Sequence, residues 1–217
     1  MRRDRFCLLA TILLWSGLCL AQEPPPASAS ASTNASSPPW SYNLSLAGYL
    51  VPQDQSYASP TFTADGTWTH LEARYNYENL ETASLWFGYD FSVGKKFQLE
   101  FTPMIGGVFG KTNGIAPGYE LTLSYRRLQL YSASEYVFDT DNHNNSFFYT
   151  WTELGYSPVK WFRFGMATQR TRVYQTGLDV QRGPLVGVSY KKTSFTTYVF
   201  NPGWAQPTWV FSLSYSF

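Results

Sequence analysis

Apolar and polar residues alternate along the last nine positions of the chain, Trp209 to Phe217. Every odd position is large and apolar or aromatic, and three of the four residues between them are serine. A period of two residues is typical of a β-strand with one apolar and one polar face. Similar alternation recurs upstream, whereas no long window repeats apolar residues at helical spacing. The pattern therefore predicts an all-β protein.

Strand-like segments come in pairs around short polar turns, and longer polar connections join one pair to the next. Asp65-Gly66 is a strong hairpin signal for the first of these turns. Short turns that alternate with longer loops are typical of transmembrane barrels. The pattern predicts twelve strands, at 42–51, 57–64, 67–77, 81–91, 96–106, 118–126, 128–138, 146–156, 161–171, 181–190, 193–200 and 208–217. If the first hairpin, 42–64, lies outside the wall, the count is ten.

The closing segment resembles the last strand of bacterial outer-membrane β-barrel proteins, which ends on phenylalanine. The resemblance implies a single transmembrane antiparallel up-and-down β-barrel in the outer membrane of a Gram-negative bacterium, with short periplasmic turns. It also implies contact with outer-membrane lipid and lipopolysaccharide, and recognition by the barrel-assembly machinery. The insertion signal would consist of the five outward residues of the last strand: Trp209, Phe211, Leu213, Tyr215 and Phe217.

Composition agrees with a barrel wall of this kind. Aromatic residues make up 18% of the chain and charged residues 14%, against about 25% charged in soluble domains. The mean hydropathy is nevertheless −0.25, which argues against a bundle of transmembrane helices. Strands with one apolar and one polar face explain both values. A net charge of +1 gives no indication of nucleic-acid binding.

The first forty residues have a different character from the rest. Residues 1–21 read as a Sec-type signal peptide, with a basic start, an apolar run and small residues before a cleavage site near Ala21. Both cysteines, Cys7 and Cys19, lie in this segment, so the mature chain would contain none. Residues 22–40 are rich in proline, alanine and serine and predict a disordered tail. The barrel would occupy residues 41–217.

Charged side chains in mid-strand are expected to face the barrel interior, because arginine or lysine in lipid costs about 2–4 kcal/mol at the midplane. Trp68 is also placed on the inward face by the strand period. A soluble lipocalin-like barrel, the alternative fold, would have its apolar face inside and its charges outside. The candidate residues lining the lumen or binding a solute are His70, Glu72, Arg74, Asn76, Trp86, Asp90, Glu100, Glu120, Arg126, Glu135, Trp151, Glu153 and Arg163.

The densest polar row is the stretch from His70 to Glu78, in which every second residue is polar or charged. One interpretation is a binding or catalytic row, with His70 and Glu72 as an acid–base pair. The other, which we favour, is a ladder of charges that satisfy one another inside a narrow barrel. The sequence gives no nucleophile to accompany the pair, so no catalytic residue is assigned.

The sequence favours a small passive, porin-like channel or solute-binding barrel with a lumen lined by arginine and glutamate. A small solute is then the expected partner, and no cofactor or metal is predicted. The first alternative is a closed structural barrel without transport. The second is an outer-membrane lipid hydrolase or deacylase that acts through His70 or His143.

Overall fold

The computed structural model describes residues 40–52, 55–173, 179–203 and 207–217. The predicted signal peptide and all of the predicted tail except Trp40 lie outside the described residues. No helix in the described part of the chain is long and apolar enough to cross a membrane.

The described residues form thirteen β-strands and one short 3₁₀ turn, His143–Asn145. The strands are β1 Ser41–Leu50, β2 Tyr57–Asp65, β3 Thr69–Tyr75, β4 Thr82–Tyr89, β5 Phe91–Val93, β6 Phe97–Gly110, β7 Gly114–Tyr125, β8 Leu128–Asp139, β9 Phe147–Val159, β10 Phe162–Val173, β11 Asp179–Tyr190, β12 Thr193–Phe200 and β13 Thr208–Ser216.

These strands close into one antiparallel barrel. Consecutive strands pair with each other, except β4 with β5; β1 also pairs with β13, and β4 pairs with β6. The short β5 continues the line of β4 after Asp90 and pairs with the same strand, β6, so the two together form one strand of the wall. The wall therefore has twelve strands, as predicted. The first hairpin belongs to it, and the ten-stranded alternative is wrong.

The barrel closes along the seam between the first and last strands. The pairing of β1 with β13 runs from Asn43 opposite Ser216 to Leu50 opposite Trp209. At the end of the seam, the backbone N–H of Phe217 donates to the carbonyl of Tyr42 at 3.0 Å. The two rings stack with 5.6 Å between their centroids. The C-terminal strand thus has a partner on both edges, β12 and β1.

Burial alternates along the strands in the direction expected for a barrel in lipid. On β4, Leu85, Phe87 and Tyr89 are exposed on the outer surface, while Ser84 and Trp86 are buried inside. The same arrangement recurs around the wall, where most of the large exposed side chains are apolar or aromatic. A soluble barrel would have the opposite arrangement, so the lipocalin-like alternative is wrong.

The two ends of the barrel differ. Short turns at 66–68, 94–96, 126–127, 160–161 and 191–192 form one end, together with Phe217; we call it the short-turn rim. The connections 76–81, 111–113 and 140–146 lie at the other end, the loop rim. Outward aromatic residues surround the short-turn rim, including Tyr89, Phe91, Tyr125, Trp161, Tyr190 and Tyr215.

Trp68 belongs to this aromatic belt and not to the interior, so its predicted inward position is wrong. Its side chain is 51% exposed and stacks on Tyr89 with 5.4 Å between ring centroids. The reason is that β3 begins only at Thr69. Trp68 lies in the preceding turn, where the strand period no longer sets the direction of a side chain.

The outer surface predicts how arginine substitutions depend on depth. Val186 lies in mid-strand on the outward face of β11, and Val180 lies on the same face beside the end of the strand away from the short-turn rim. We expect Val186→Arg to lower the free energy of unfolding in phospholipid vesicles by about 2–4 kcal/mol, and Val180→Arg by about 0–1 kcal/mol. Denaturant titration followed by tryptophan fluorescence measures both. Two equally small losses would show that this face meets water.

Candidate functional site

The inward row of β3 forms the centre of the candidate site. Its two-residue period places His70, Glu72 and Arg74 on the buried face, with Leu71 and Tyr75 on the exposed face. The structure therefore brings three residues of the predicted polar row into the barrel interior.

Arg74 is held by three carboxylates. Its Nη1 donates to Glu135 Oε2 on β8 at 2.8 Å, and its Nη2 donates to Glu72 Oε2 on its own strand. Nη1 also lies 3.6 Å from Glu78 Oε1. Because β3 and β8 are not neighbours in the wall, the ion pair of Arg74 with Glu135 crosses the interior. We refer to Arg74, Glu72, Glu78 and Glu135 as the Arg74 cage.

Aromatic rings cover the guanidinium group inside this cage. The Arg74 Cζ atom lies 4.3 Å from the ring centroid of Tyr77 and 4.6 Å from that of Trp86. Trp86 lies opposite Gly106, where an added Cβ would come within 2.5 Å of the indole. A larger residue at Gly106 would displace the indole, so this glycine allows Trp86 to fill the lumen. Cation–π contacts of this kind stabilise a desolvated arginine by about 2 kcal/mol.

The connection 76–81 folds into the mouth of the barrel. The Glu78 side chain is fully buried, and its Oε1 accepts hydrogen bonds from Ser84 Oγ at 2.6 Å and Trp86 Nε1 at 3.1 Å. Tyr77 packs edge-to-face on Tyr149 with 5.7 Å between centroids. Glu78 thus enters the site from a loop, although the sequence pattern counted it in the polar row that continues from a strand.

Asn76 shapes this loop and does not line the lumen from a strand, as the sequence pattern predicted. Its backbone φ is 54°, in the left-handed region that asparagine tolerates better than most residues. Its Oδ1 accepts from the backbone N–H of Glu81 at 2.8 Å, and its Nδ2 donates to the carbonyl of Ala58 at 3.0 Å. Because β3 ends at Tyr75, the two-residue period stops one position before Asn76.

A second buried network surrounds Arg163 on β10. Its Nη2 donates to Glu153 Oε2 on β9 at 2.6 Å. The other oxygen of Glu153, Oε1, accepts from the Tyr198 hydroxyl at 2.7 Å and from Trp151 Nε1 at 2.8 Å. The predicted interior residues Trp151, Glu153 and Arg163 are therefore together in one network, which is joined by Tyr198 on β12.

Three further predicted residues carry inward carboxylates elsewhere in the barrel. Glu120 accepts from the Tyr131 hydroxyl at 2.8 Å. Glu100 is buried on β6 and accepts from Gln98 Nε2 at 2.8 Å. Asp90, between β4 and β5, accepts from Thr102 Oγ1 at 2.7 Å. Arg126 is exposed in the turn between β7 and β8, with φ of 56°, so its predicted lumen-lining position is wrong.

Asp65, His70 and Asp90 lie close enough near the short-turn rim to hold a metal ion, because their potential ligand atoms all lie within 4.8 Å of one another. Each has a protein partner, however. His70 Nδ1 is 2.7 Å from Asp65 Oδ1, which is a hydrogen-bond distance, and Asp90 is bound by Thr102. The arrangement is explained by hydrogen bonds alone, and the prediction of no metal stays a prediction.

Apolar side chains fill the interior toward the loop rim. One cluster contains Trp151, Ala167, Leu185, Tyr198, Phe200 and Val210, and Phe200 is the last residue of β12. A second cluster contains Trp86, Met104, Val108, Ala116 and Val137. Sequence reasoning placed Trp86 and Trp151 inside but missed the rest, because their strands alternate weakly there. Toward the short-turn rim the inward residues of the seam are small and polar, including Asn43, Ser45, Ser212 and Ser214.

Comparison with protein-family models and with curated proteins finds no match. Among solved structures, the chain is similar to the KdgM porin, with a TM-score of 0.59 and 12% sequence identity over 81% of this chain and 99% of the porin. A second structure, the KdgM porin in complex with disordered oligogalacturonate, gives a TM-score of 0.58 at the same identity and coverage. The likeness shows a shared fold, that of an outer-membrane β-barrel, which is the fold that the C-terminal segment implied.

The Arg74 cage predicts a large cost for removing its single cation. Arg74→Gln leaves three buried carboxylates without their shared partner, so we expect the free energy of unfolding to fall by about 3–5 kcal/mol. Arg170→Gln, on the exposed outward face of β10, should change it by no more than about 0.5 kcal/mol. Denaturant titration of both variants in the same detergent makes the comparison. Similar losses would mean that the cage adds nothing to stability.

Proposed function

We propose that this protein is a small passive channel of the bacterial outer membrane. The observation that carries the proposal is the row of ionisable groups inside a closed barrel whose outer surface is apolar. Ionisable residues at membrane depth are costly and commonly mark the paths of ions or solutes. The Arg74 cage and the Arg163 network are of this kind, because both lie inside the wall and neither is needed to close it.

The lining of the proposed path changes along the barrel axis. It is lined by small hydroxyl and amide groups near the short-turn rim, where Asn43 and Ser45 face the interior. It passes the two arginine networks and meets the aromatic cluster of Trp151, Tyr198 and Phe200 toward the loop rim. In the proposed channel, these rings would limit passage to small solutes, because they occupy part of the lumen.

The proposal includes a cellular location and an orientation of the barrel in the membrane. The signal peptide at 1–21 would direct export through the Sec pathway, and the short-turn rim with Phe217 would face the periplasm. Outer-membrane lipid and lipopolysaccharide would contact the apolar surface, and the barrel-assembly machinery would recognise the outward residues of β13. A structurally similar porin is described in complex with oligogalacturonate, which supports a soluble small molecule as the partner.

A closed structural barrel is the second candidate, and the two apolar clusters favour it. Both lie toward the loop rim, and Tyr77 and Glu78 fold into the same region from the connection 76–81. If these side chains remain in place at all times, nothing passes. The lipid hydrolase has less support, because the two ring nitrogens of His70 face the carboxylates of Asp65 and Glu72. His143 lies apart from it, exposed in the 3₁₀ turn at the loop rim.

Conductance in a planar lipid bilayer separates the channel from the closed barrel. We expect discrete current steps from the purified wild-type protein. We also expect Phe200→Ala to raise the step size roughly twofold or more, because Phe200 is fully buried in the aromatic cluster. Phe195→Ala, on the outward face of the same strand, should leave the step size unchanged. Circular dichroism checks that both variants fold. A silent wild type together with a silent Phe200→Ala barrel would overturn the proposed channel.

A further inference from the structure

Acidic groups outnumber basic groups in the barrel interior. Among the described residues, the inward glutamates are Glu72, Glu78, Glu100, Glu120, Glu135 and Glu153. The inward basic residues described are Arg74, Arg163 and His70. His70 adds positive charge only when it is protonated. Even with Glu100 left aside, five inward glutamates face two guanidinium groups.

The contacts show where this surplus lies. Arg74 is shared by Glu72, Glu78 and Glu135, whereas Arg163 pairs with Glu153. Glu120 is bound by a neutral donor, the Tyr131 hydroxyl. One guanidinium group thus serves three carboxylates in the Arg74 cage.

Two carboxylate oxygens of the cage are buried and without a hydrogen-bond partner. They are Glu78 Oε2 and Glu135 Oε1, and the side chains that carry them are 0% and 5% exposed. A buried carboxylate oxygen that lacks a donor is costly. A cation that entered the cage would supply the missing partner to both side chains. The two unpartnered oxygens do not depend on the count of charges. They too indicate a positively charged ligand.

We infer that the lumen selects cations over anions, admitting small metal ions and small organic cations that carry an ammonium or guanidinium group. Walls of low dielectric constant strengthen the field of the charges that line a narrow passage. Rings of aspartate or glutamate select cations in membrane pores in this way. Where the inference concerns passage, it rests on the proposed channel; where it concerns binding, it does not.

The first test measures the reversal potential of purified protein in a planar bilayer under a potassium chloride gradient. We expect potassium to carry most of the current. In the double variant Glu120→Gln with Glu135→Gln, the permeability ratio of potassium to chloride should fall by roughly half or more. Glu81→Gln, an exposed residue of the connection 76–81, is the matched control and should leave the ratio unchanged. A current carried mainly by chloride would overturn the inference and leave the channel in place.

A second measurement decides the inference if the barrel carries no current. Terbium ions bind carboxylates and emit when excited through a nearby indole, and Trp86 Nε1 lies 3.1 Å from Glu78 Oε1. With protein in detergent, we expect saturable terbium emission that is lost in Glu78→Gln with Glu135→Gln and retained in Glu81→Gln. This emission without any current would support the cation site and overturn the channel. Neither emission nor current would overturn both.

Discussion

Water is absent from the hydrocarbon layer of a membrane, so each backbone amide and carbonyl that crosses it needs a partner from the chain itself. A sheet meets this requirement only when its first and last strands pair. Here the seam between β1 and β13 does so, with eight residue pairs in register from Asn43 with Ser216 to Leu50 with Trp209. The other features of the molecule depend on this closure, because it separates an outer face in lipid from an inner face shielded from it.

Closure also determines where charge can be placed. Outward positions in mid-strand must be apolar, so charged residues at this depth face inward and must find partners within a narrow space. Arg74 meets this requirement by contact with three carboxylates and two aromatic rings. Buried ion pairs of this kind are costly, because a protein with apolar side chains of similar volume in their place is often equally stable or more stable. Their presence is therefore better explained by a function of the interior than by stability.

The sequence predicted the strand count and the inward face of most strands, because both follow from a two-residue period that holds within a strand. The errors lie at strand ends, where the period stops. Trp68 precedes β3, while Asn76 and Arg126 follow strands and have positive φ. The cross-barrel pair of Arg74 with Glu135 was also beyond prediction. These residues are 61 positions apart in the chain. Their contact depends on the stagger of the strands around the barrel, and the two-residue period of a single strand gives no information on this stagger.

The proposed channel has two properties, its aperture and its charge preference, and different residues of the interior account for each. In the proposed channel, aperture would depend on the aromatic cluster around Phe200 and Trp151, on β12 and β9, and on the loop that carries Tyr77. The inferred charge preference would depend on carboxylates of β3, β7 and β8, such as Glu72, Glu120 and Glu135. Because the two sets occupy different strands, changes that widen the passage need not alter its charge. The point of contact between them is the Arg74 cage, where Glu78 enters from the inserted loop and meets the guanidinium group. Withdrawal of this loop would therefore widen the mouth and at the same time remove one carboxylate from the cage.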